Sequence, residues 1–197
     1  MASIINASTS AGLVQSADTS GTLQLQSGGT TKQTIDSTGS YGQLVSGTAQ
    51  ASTSGTSIDF TSIPSWVKRV TVMFNGVSTN GTTSLQIQLG YSGGVETTGY
   101  VSVCGAYGSV TPVSSTTGMC VTSGSVAANS YSGQAIICLL GSNFWTLNSN
   151  MVRNDAANGF NGAAYKTTTG ALDRIRITTF GGTDTFDAGS INILYEG

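Results

Sequence analysis

The chain contains no histidine, and this absence removes much of the usual catalytic chemistry. None of the 197 residues is histidine, so Ser-His-Asp triads, Cys-His dyads and histidine metal sites are excluded. Neither a G-x-x-x-x-G-K-[ST] phosphate loop nor a G-x-G-x-x-G fingerprint after a strand occurs. We therefore expect a protein that is not an enzyme and that binds no cofactor.

Charge is also scarce. Only 8% of the residues are charged, against about 25% in an average soluble domain, and the net charge is −2. A few scattered bases offer no attraction for nucleic acid. The longest apolar run, residues 135–140, is far shorter than the ~20 residues that span a bilayer. No signal peptide is visible, so we expect synthesis in a cytoplasm. The charge and the short apolar runs also predict no binding to nucleic acid and no membrane insertion.

The few carboxylates leave two weaker possibilities. Polysaccharide hydrolysis needs only two carboxylates ~5–10 Å apart, but the spacing of the acids singles out no pair. Asp184 and Asp187 lie among glycines and suggest a calcium loop, although a polar turn is the more ordinary interpretation. The acids considered for hydrolysis are Glu96, Asp155, Asp173, Asp184 and Asp187.

Three cysteines, Cys104, Cys120 and Cys138, lie far apart with no C-x-x-C pair. A zinc site would need close thiolate pairs or histidines. Small buried hydrophobic residues are the favoured interpretation. A disulfide between two of the three is the alternative.

Residues 1–51 differ in composition from the rest, because Ser, Thr, Gly, Ala and Gln dominate there. Leu23 and Leu25 alternate with polar residues, which predicts a short strand. A turn at residues 27–29, a strand over 31–35 and a turn at 36–39 follow. Such short strands bury no core alone. We expect this segment to pair with copies of itself or with a neighbouring protein; disorder in the free chain is the alternative.

Residues 52–197 show repeated short alternations of apolar and polar residues, and no convincing helical period. Many short strands between Gly, Asn and Ser turns predict an all-β domain, a β-sandwich of jelly-roll type. Residues 135–140 are apolar on both faces, which is typical of a central strand covered on both sides. The strands are predicted over residues 57–63, 69–74, 84–89, 135–140, 174–178 and 191–195.

Two longer, irregular stretches, residues 90–133 and 141–162, carry aromatic residues among small ones. Long loops on a rigid sandwich are common places for binding. Burial in the core is the usual fate of a large aromatic side chain and is the alternative. The aromatic residues considered for surface contact are Tyr91, Tyr100, Tyr107, Tyr131, Trp145 and Phe160.

Parts of the chain resemble bacteriophage appendage proteins. Residues 21–39, GTLQLQSGGTTKQTIDSTG, resemble a repeat of phage tail-fibre shafts, and residues 1–20 look like the start of short phage structural proteins. Residues 56–99, with SIDFTSIPSWVKRVTVMFNGVS, resemble a C-terminal module of phage fibres. Residues 172–196, with DRIRITTF and FDAGSINILYE, resemble the same module.

This resemblance implies a virion protein, often a homotrimer, attached through residues 1–51 to capsid or tail proteins. The chain has one recognisable shaft repeat and no large anchoring domain, which indicates a short fibre or spike. Its sandwich would contact the host surface, with a glycan as a predicted partner. The alternatives are a capsid decoration protein that braces the shell and, third, a polysaccharide-degrading tail protein.

Overall fold

A computed structural model describes residues 23–36, 39–40, 44–107, 111–127 and 129–197. The chain divides into two compact units, Met1–Gln43 and Leu44–Gly197. The described residues are almost entirely strands and turns, with a single short 3₁₀ turn at Phe180–Gly182. The all-β prediction is confirmed. None of the described helical segments has the length and apolar character to cross a membrane.

The first unit contains a three-stranded antiparallel meander, β1 (Leu23–Ser27), β2 (Thr30–Asp36) and β3 (Gly39–Ser40). Gly28 and Gly29 join β1 to β2 with positive φ angles of 59° and 75°, which glycine adopts readily. The two predicted strands are present. Of the predicted attachment segment at residues 1–51, residues 1–22, 37–38 and 41–43 lie outside the described residues.

The second unit is a two-sheet sandwich. Its described residues form strands β4 (Leu44–Ser46), β5 (Gln50–Ala51), β6 (Ser57–Thr61), β7 (Arg69–Thr79), β8 (Leu85–Tyr91), β9 (Gly94–Val95), β10 (Val101–Ala106), β11 (Val113–Ser115), β12 (Met119–Cys120), β13 (Tyr131–Gly141), β14 (Phe144–Arg153), β15 (Gly159–Thr167), β16 (Arg174–Thr179) and β17 (Phe186–Glu196). The large sheet has the order β11-β10-β15-β14-β13-β7-β17-β4, with β5 also on β17. The small sheet has the order β12-β8-β16-β6, with β9 on β8.

Strand pairing in the sandwich is nested. The chain pairs β7 with β17, β8 with β16, β10 with β15 and β13 with β14, all antiparallel. It therefore folds back on itself around the β13–β14 hairpin. Nesting of this kind is typical of Greek-key and jelly-roll sandwiches. Three of the four pairs share the large sheet, so the two sheets are unequal.

The core lies between the two sheets and follows directly from the alternation in the sequence. Val70, Val72 and Phe74 of β7 face Ile175 and Ile177 of β16 across one continuous cluster of buried apolar residues. Because alternate side chains of a strand point to opposite faces, one face of each sheet is apolar and the other is polar. Each such buried side chain contributes about 1.5–3 kcal/mol.

The sandwich begins before the predicted boundary at residues 51 and 52. Strands β4 and β5 pair with β17 in the large sheet. The boundary between the units therefore moves to residues 43 and 44. Residues 44–51 lack large aromatic residues, but they complete the edge of a sheet through backbone hydrogen bonds.

Three local predictions were wrong. Residues 141–162, predicted to be irregular, form β14 and the start of β15, two of the long strands. Strand β7 continues beyond its predicted end at residue 74 to Thr79, with a bulge at Gly76, where the register with β13 shifts and φ is 63°. Strand β13 is covered on one side only, since Leu140 is 81% exposed and Ile136 is half-buried.

Candidate functional site

The six aromatic residues considered for surface contact divide into three groups. The first group is buried, with 2% of each residue exposed, and comprises Tyr100, Tyr131, Trp145 and Phe160. These four side chains pack in the core and are not surface contacts. Tyr91 is half-buried, and its ring lies against Gly93 and Gly170. Tyr107 is 59% exposed. Of the six, Tyr107 therefore presents the largest aromatic surface to solvent.

The ring of Tyr107 lies on the backbone of β15. A Cβ atom built on Gly159 would lie 2.4 Å from Cε2 of Tyr107, so the absence of a side chain at Gly159 allows the ring to approach this closely. The Tyr107 hydroxyl donates to Oδ1 of Asn150 and accepts from Nδ2 of Asn161, both at 3.2 Å. The ring is thus held at one edge and at its tip.

Tyr107 forms one wall of an open cleft of about 480 Å³. Phe160 and Val113 supply apolar surface, while Ser123 and Asn158 supply polar groups. The cleft forms where the chain leaves β10 and where the β14–β15 connection passes beside it. Apolar walls with a few polar groups are the usual composition of a small-ligand site.

Arg153 is the charged residue of the cleft lining, and a neighbouring carboxylate balances it. Its Nε and one terminal nitrogen donate to the two carboxylate oxygens of Asp155, at 3.0 and 2.5 Å. These hydrogen bonds lower the pKa of the Asp155 carboxyl and raise the pKa of the Arg153 guanidinium. The cleft therefore presents a fixed, charge-balanced fork rather than a free cation.

A second depression, of about 350 Å³, lies on the outer face of the small sheet. Its floor is Gln86, whose Oε1 accepts from the hydroxyls of Ser115 and Thr117 at 3.0 and 3.2 Å. Beside it, Arg176 donates two hydrogen bonds of 2.7 Å to the carboxylate of Asp59. These polar groups hold the loop at residues 113–117 and the sheet together.

Four of the five carboxylates considered for hydrolysis or calcium are engaged in separate local contacts, and the fifth, Asp187, is exposed on β17. Asp155 and Asp173 each pair with an arginine, and Glu96 pairs with a lysine. Asp184 accepts from the backbone N–H and hydroxyl of Thr83 at 2.9 and 2.5 Å. This contact joins two loops, in line with a polar turn. Over the described residues, His, Cys, Asp and Glu form no group of three that could hold a metal ion.

Glu96 belongs to a nearly buried ionic cluster with Lys166 and Thr169. Its carboxylate lies 3.0 Å from Nζ of Lys166, with 12% and 10% of the two side chains exposed. Burial alone would raise the pKa of Glu96, but hydrogen bonds from Thr169 and Lys166 and the Lys166 charge outweigh it and lower the pKa. Tyr100 lies beneath Lys166, at 5.4 Å from ring centre to Nζ, and burial raises the pKa of its hydroxyl. The cluster therefore connects the segment around Glu96 to the end of β15 and the residues that follow it.

Cys104 and Cys120 form a disulfide, with Cα atoms 5.7 Å apart. This is the alternative that the sequence left open, and the favoured interpretation of three unpaired cysteines is wrong for these two. Cys138 is free and half-buried. Because Cys104 is on β10 and Cys120 on β12, the disulfide links the large sheet to the small one.

The sequence reasoning missed Gly159, Asn150, Asn161 and Asn158, which shape the cleft around Tyr107. A usable signal was present. In residues 144–152, Trp145, Leu147 and Met151 alternate with polar residues, and this period of two places Asn150 on the outer face.

No protein family, curated protein or solved structure matches this chain.

Proposed function

We propose that this chain is a non-enzymatic structural subunit of a bacteriophage particle, a short fibre or spike. Its first unit attaches and assembles the subunit, and its sandwich contacts the host surface. The observation that carries the proposal is the three-stranded meander of the first unit, whose apolar side chains face solvent. The resemblance of residues 21–39 to a fibre shaft supports the same role.

The meander needs partners. Leu23 and Leu25 lie on one face of β1 and are 41% and 40% exposed. Two or three isolated strands are marginally stable in water, because they bury too little apolar surface. Copies of the meander that pack their leucines together would supply that surface. A homotrimer with a shared shaft is the assembly we propose.

The sandwich suits a role in contact rather than in chemistry. Five ion pairs engage its four arginines and Lys166 with five of its carboxylates, and histidine is absent. The Cys104–Cys120 disulfide favours display outside the cell, because disulfides form and persist in oxidising surroundings. In the virion, the protein would act through its shape and surface.

The test is the mass in solution of the full chain and of residues 44–197, measured by light scattering behind a sizing column. We expect a trimer for the full chain and a monomer for the sandwich alone. A trimer in both cases would place the assembly in the sandwich and contradict the shared shaft. A monomer in both cases would contradict the fibre and favour capsid decoration, with the first unit bound along neighbouring shell proteins.

A further inference from the structure

The geometry points to a binding site for a neutral sugar ring on the exposed face of Tyr107. This inference rests on the proposed function and deepens it, because it names the chemical class that the sandwich would recognise on a host surface. The ligand is an uncharged hexopyranose of a surface glycan. The site is the cleft formed by Tyr107, Val113, Ser123, Arg153 and Asn158.

Tyr107 offers an exposed ring for stacking. The Gly159 backbone lies against one edge of the ring, at Cδ2 and Cε2, and the hydrogen bonds to Asn150 and Asn161 stop the ring from rotating away. The residue is 59% exposed, and its ring is already oriented. A ring that is already fixed loses little conformational freedom on binding. The C–H groups on one face of a pyranose match such an apolar, flat surface.

Polar groups around the ring match sugar hydroxyls. The side-chain amide of Asn158 and the hydroxyl of Ser123 line the cleft, and neither makes a hydrogen bond to another described residue. Arg153 adds a donor group whose position is fixed by two hydrogen bonds to Asp155. One apolar platform with a few convergent polar groups gives orientation and specificity to a bound ligand.

The charge balance selects a neutral sugar. Arg153 is the cationic residue of the cleft lining, and Asp155 holds it through both carboxylate oxygens. Because Asp155 balances the charge of Arg153, the cleft lining offers an acidic sugar no net positive charge. A neutral sugar can accept from the N–H groups of Arg153 that Asp155 does not use, without breaking the pair.

The experiment measures binding of the full chain to defined probes by titration calorimetry and by saturation-transfer NMR. The neutral probes are methyl glycosides of galactose, glucose and mannose, and the corresponding galactan, glucan and mannan. The acidic probes are N-acetylneuraminic acid and polygalacturonate. We expect at least one neutral probe to bind, with transfer from a tyrosine ring to the C–H groups of the sugar.

Two variants and a control locate the site. Tyr107→Ala should weaken binding at least tenfold. Gly159→Ala keeps the ring but forces it off the backbone, and should weaken binding severalfold. The control is Tyr165→Ala, which removes another tyrosine of the same sheet that is 44% exposed and stacks on Phe144 instead; it should change binding less than twofold. Thermal unfolding confirms that each variant is folded.

Three results would overturn the sugar site: no neutral probe binds, only acidic probes bind, or folded Tyr107→Ala binds as the wild type does. None of these depends on the light-scattering result. A chain that is trimeric and binds bacterial cells equally well with and without Tyr107 would therefore disprove the site and leave the fibre subunit standing.

Discussion

The Cys104–Cys120 disulfide should be a main source of stability for the sandwich. The bond joins β10 at one side of the large sheet to β12 at the edge of the small sheet. Both cysteines are buried, with 2% and 0% exposed. The perturbation is Cys104→Ala with Cys120→Ala, compared with the oxidised and the reduced wild type.

The size of the effect follows from the length of chain that the bond closes. The two cysteines are 16 residues apart. In the chain-entropy treatment, a loop of that length restricts the unfolded state by about 10 cal/mol/K, or about 3 kcal/mol at 25 °C. That is roughly a 150-fold change in the folding equilibrium. For a domain of this size it corresponds to a fall in Tm of about 6–12 °C.

The assay is urea unfolding followed by tryptophan fluorescence, since Trp145 is buried and reports on loss of the core. We expect the double variant and the reduced wild type to lose about 3 kcal/mol of unfolding free energy. Cys138→Ala, which removes the free cysteine, is the control and should change little. The reasoning is refuted if oxidised and reduced wild type differ by less than about 0.5 kcal/mol, or if alkylation without reductant labels all three cysteines.

Three further predictions concern the core and the ion pairs. Glu96→Gln leaves Lys166 nearly buried without its counter-charge, and should lower the unfolding free energy by about 3 kcal/mol, measured in urea at pH 7. Folding lowers the pKa of Glu96, so its contribution to the unfolding free energy is full above the usual carboxyl pKa and is lost as the pH falls below it. The Glu96→Gln variant should therefore lose less stability than the wild type between pH 5 and 3. Ile177→Ala removes a side chain that is 0% exposed and should cost about 2–5 kcal/mol in the same assay; a loss under about 1 kcal/mol would contradict its central position. Asp59→Asn breaks the ion pair with Arg176, whose two side chains are 35% and 37% exposed. It should lower the unfolding free energy by about 0–1 kcal/mol, and higher salt should reduce this loss.

Sequence alternation was reliable where bulky branched residues mark the inner face. In β7 and β16, every second residue is Val, Ile or Phe, and both strands lie in the predicted places. Strands β14 and β15 were missed because Asn, Ser, Ala and Gly occupy many of their positions, and Asn and Gly disfavour strands. They are strands because long neighbours on both sides complete their hydrogen bonds. Tertiary pairing overrides weak local preference.

The site was found only in part. Tyr107 was among the predicted contact residues, but so were Tyr131 and Trp145, which lie in the core. Tyr107 and Tyr131 stand in stretches rich in small residues, where no local pattern distinguishes them, whereas the alternation around Trp145 places that residue on the inner face. Tyr107 is exposed because its ring packs on Gly159, a residue 52 positions away in the sequence.

The sequence by itself determined the features that depend on residue type and on close neighbours. These are the absence of histidine chemistry, the all-β class, the meander with its Gly28–Gly29 turn, and most strands of the core. Only the tertiary structure decided which cysteines pair, where the sandwich begins and which aromatic ring faces solvent. The physical reason is that local propensity and periodicity act over a few residues. Disulfide pairing, sheet edges and burial depend on contacts between segments that are distant in the chain.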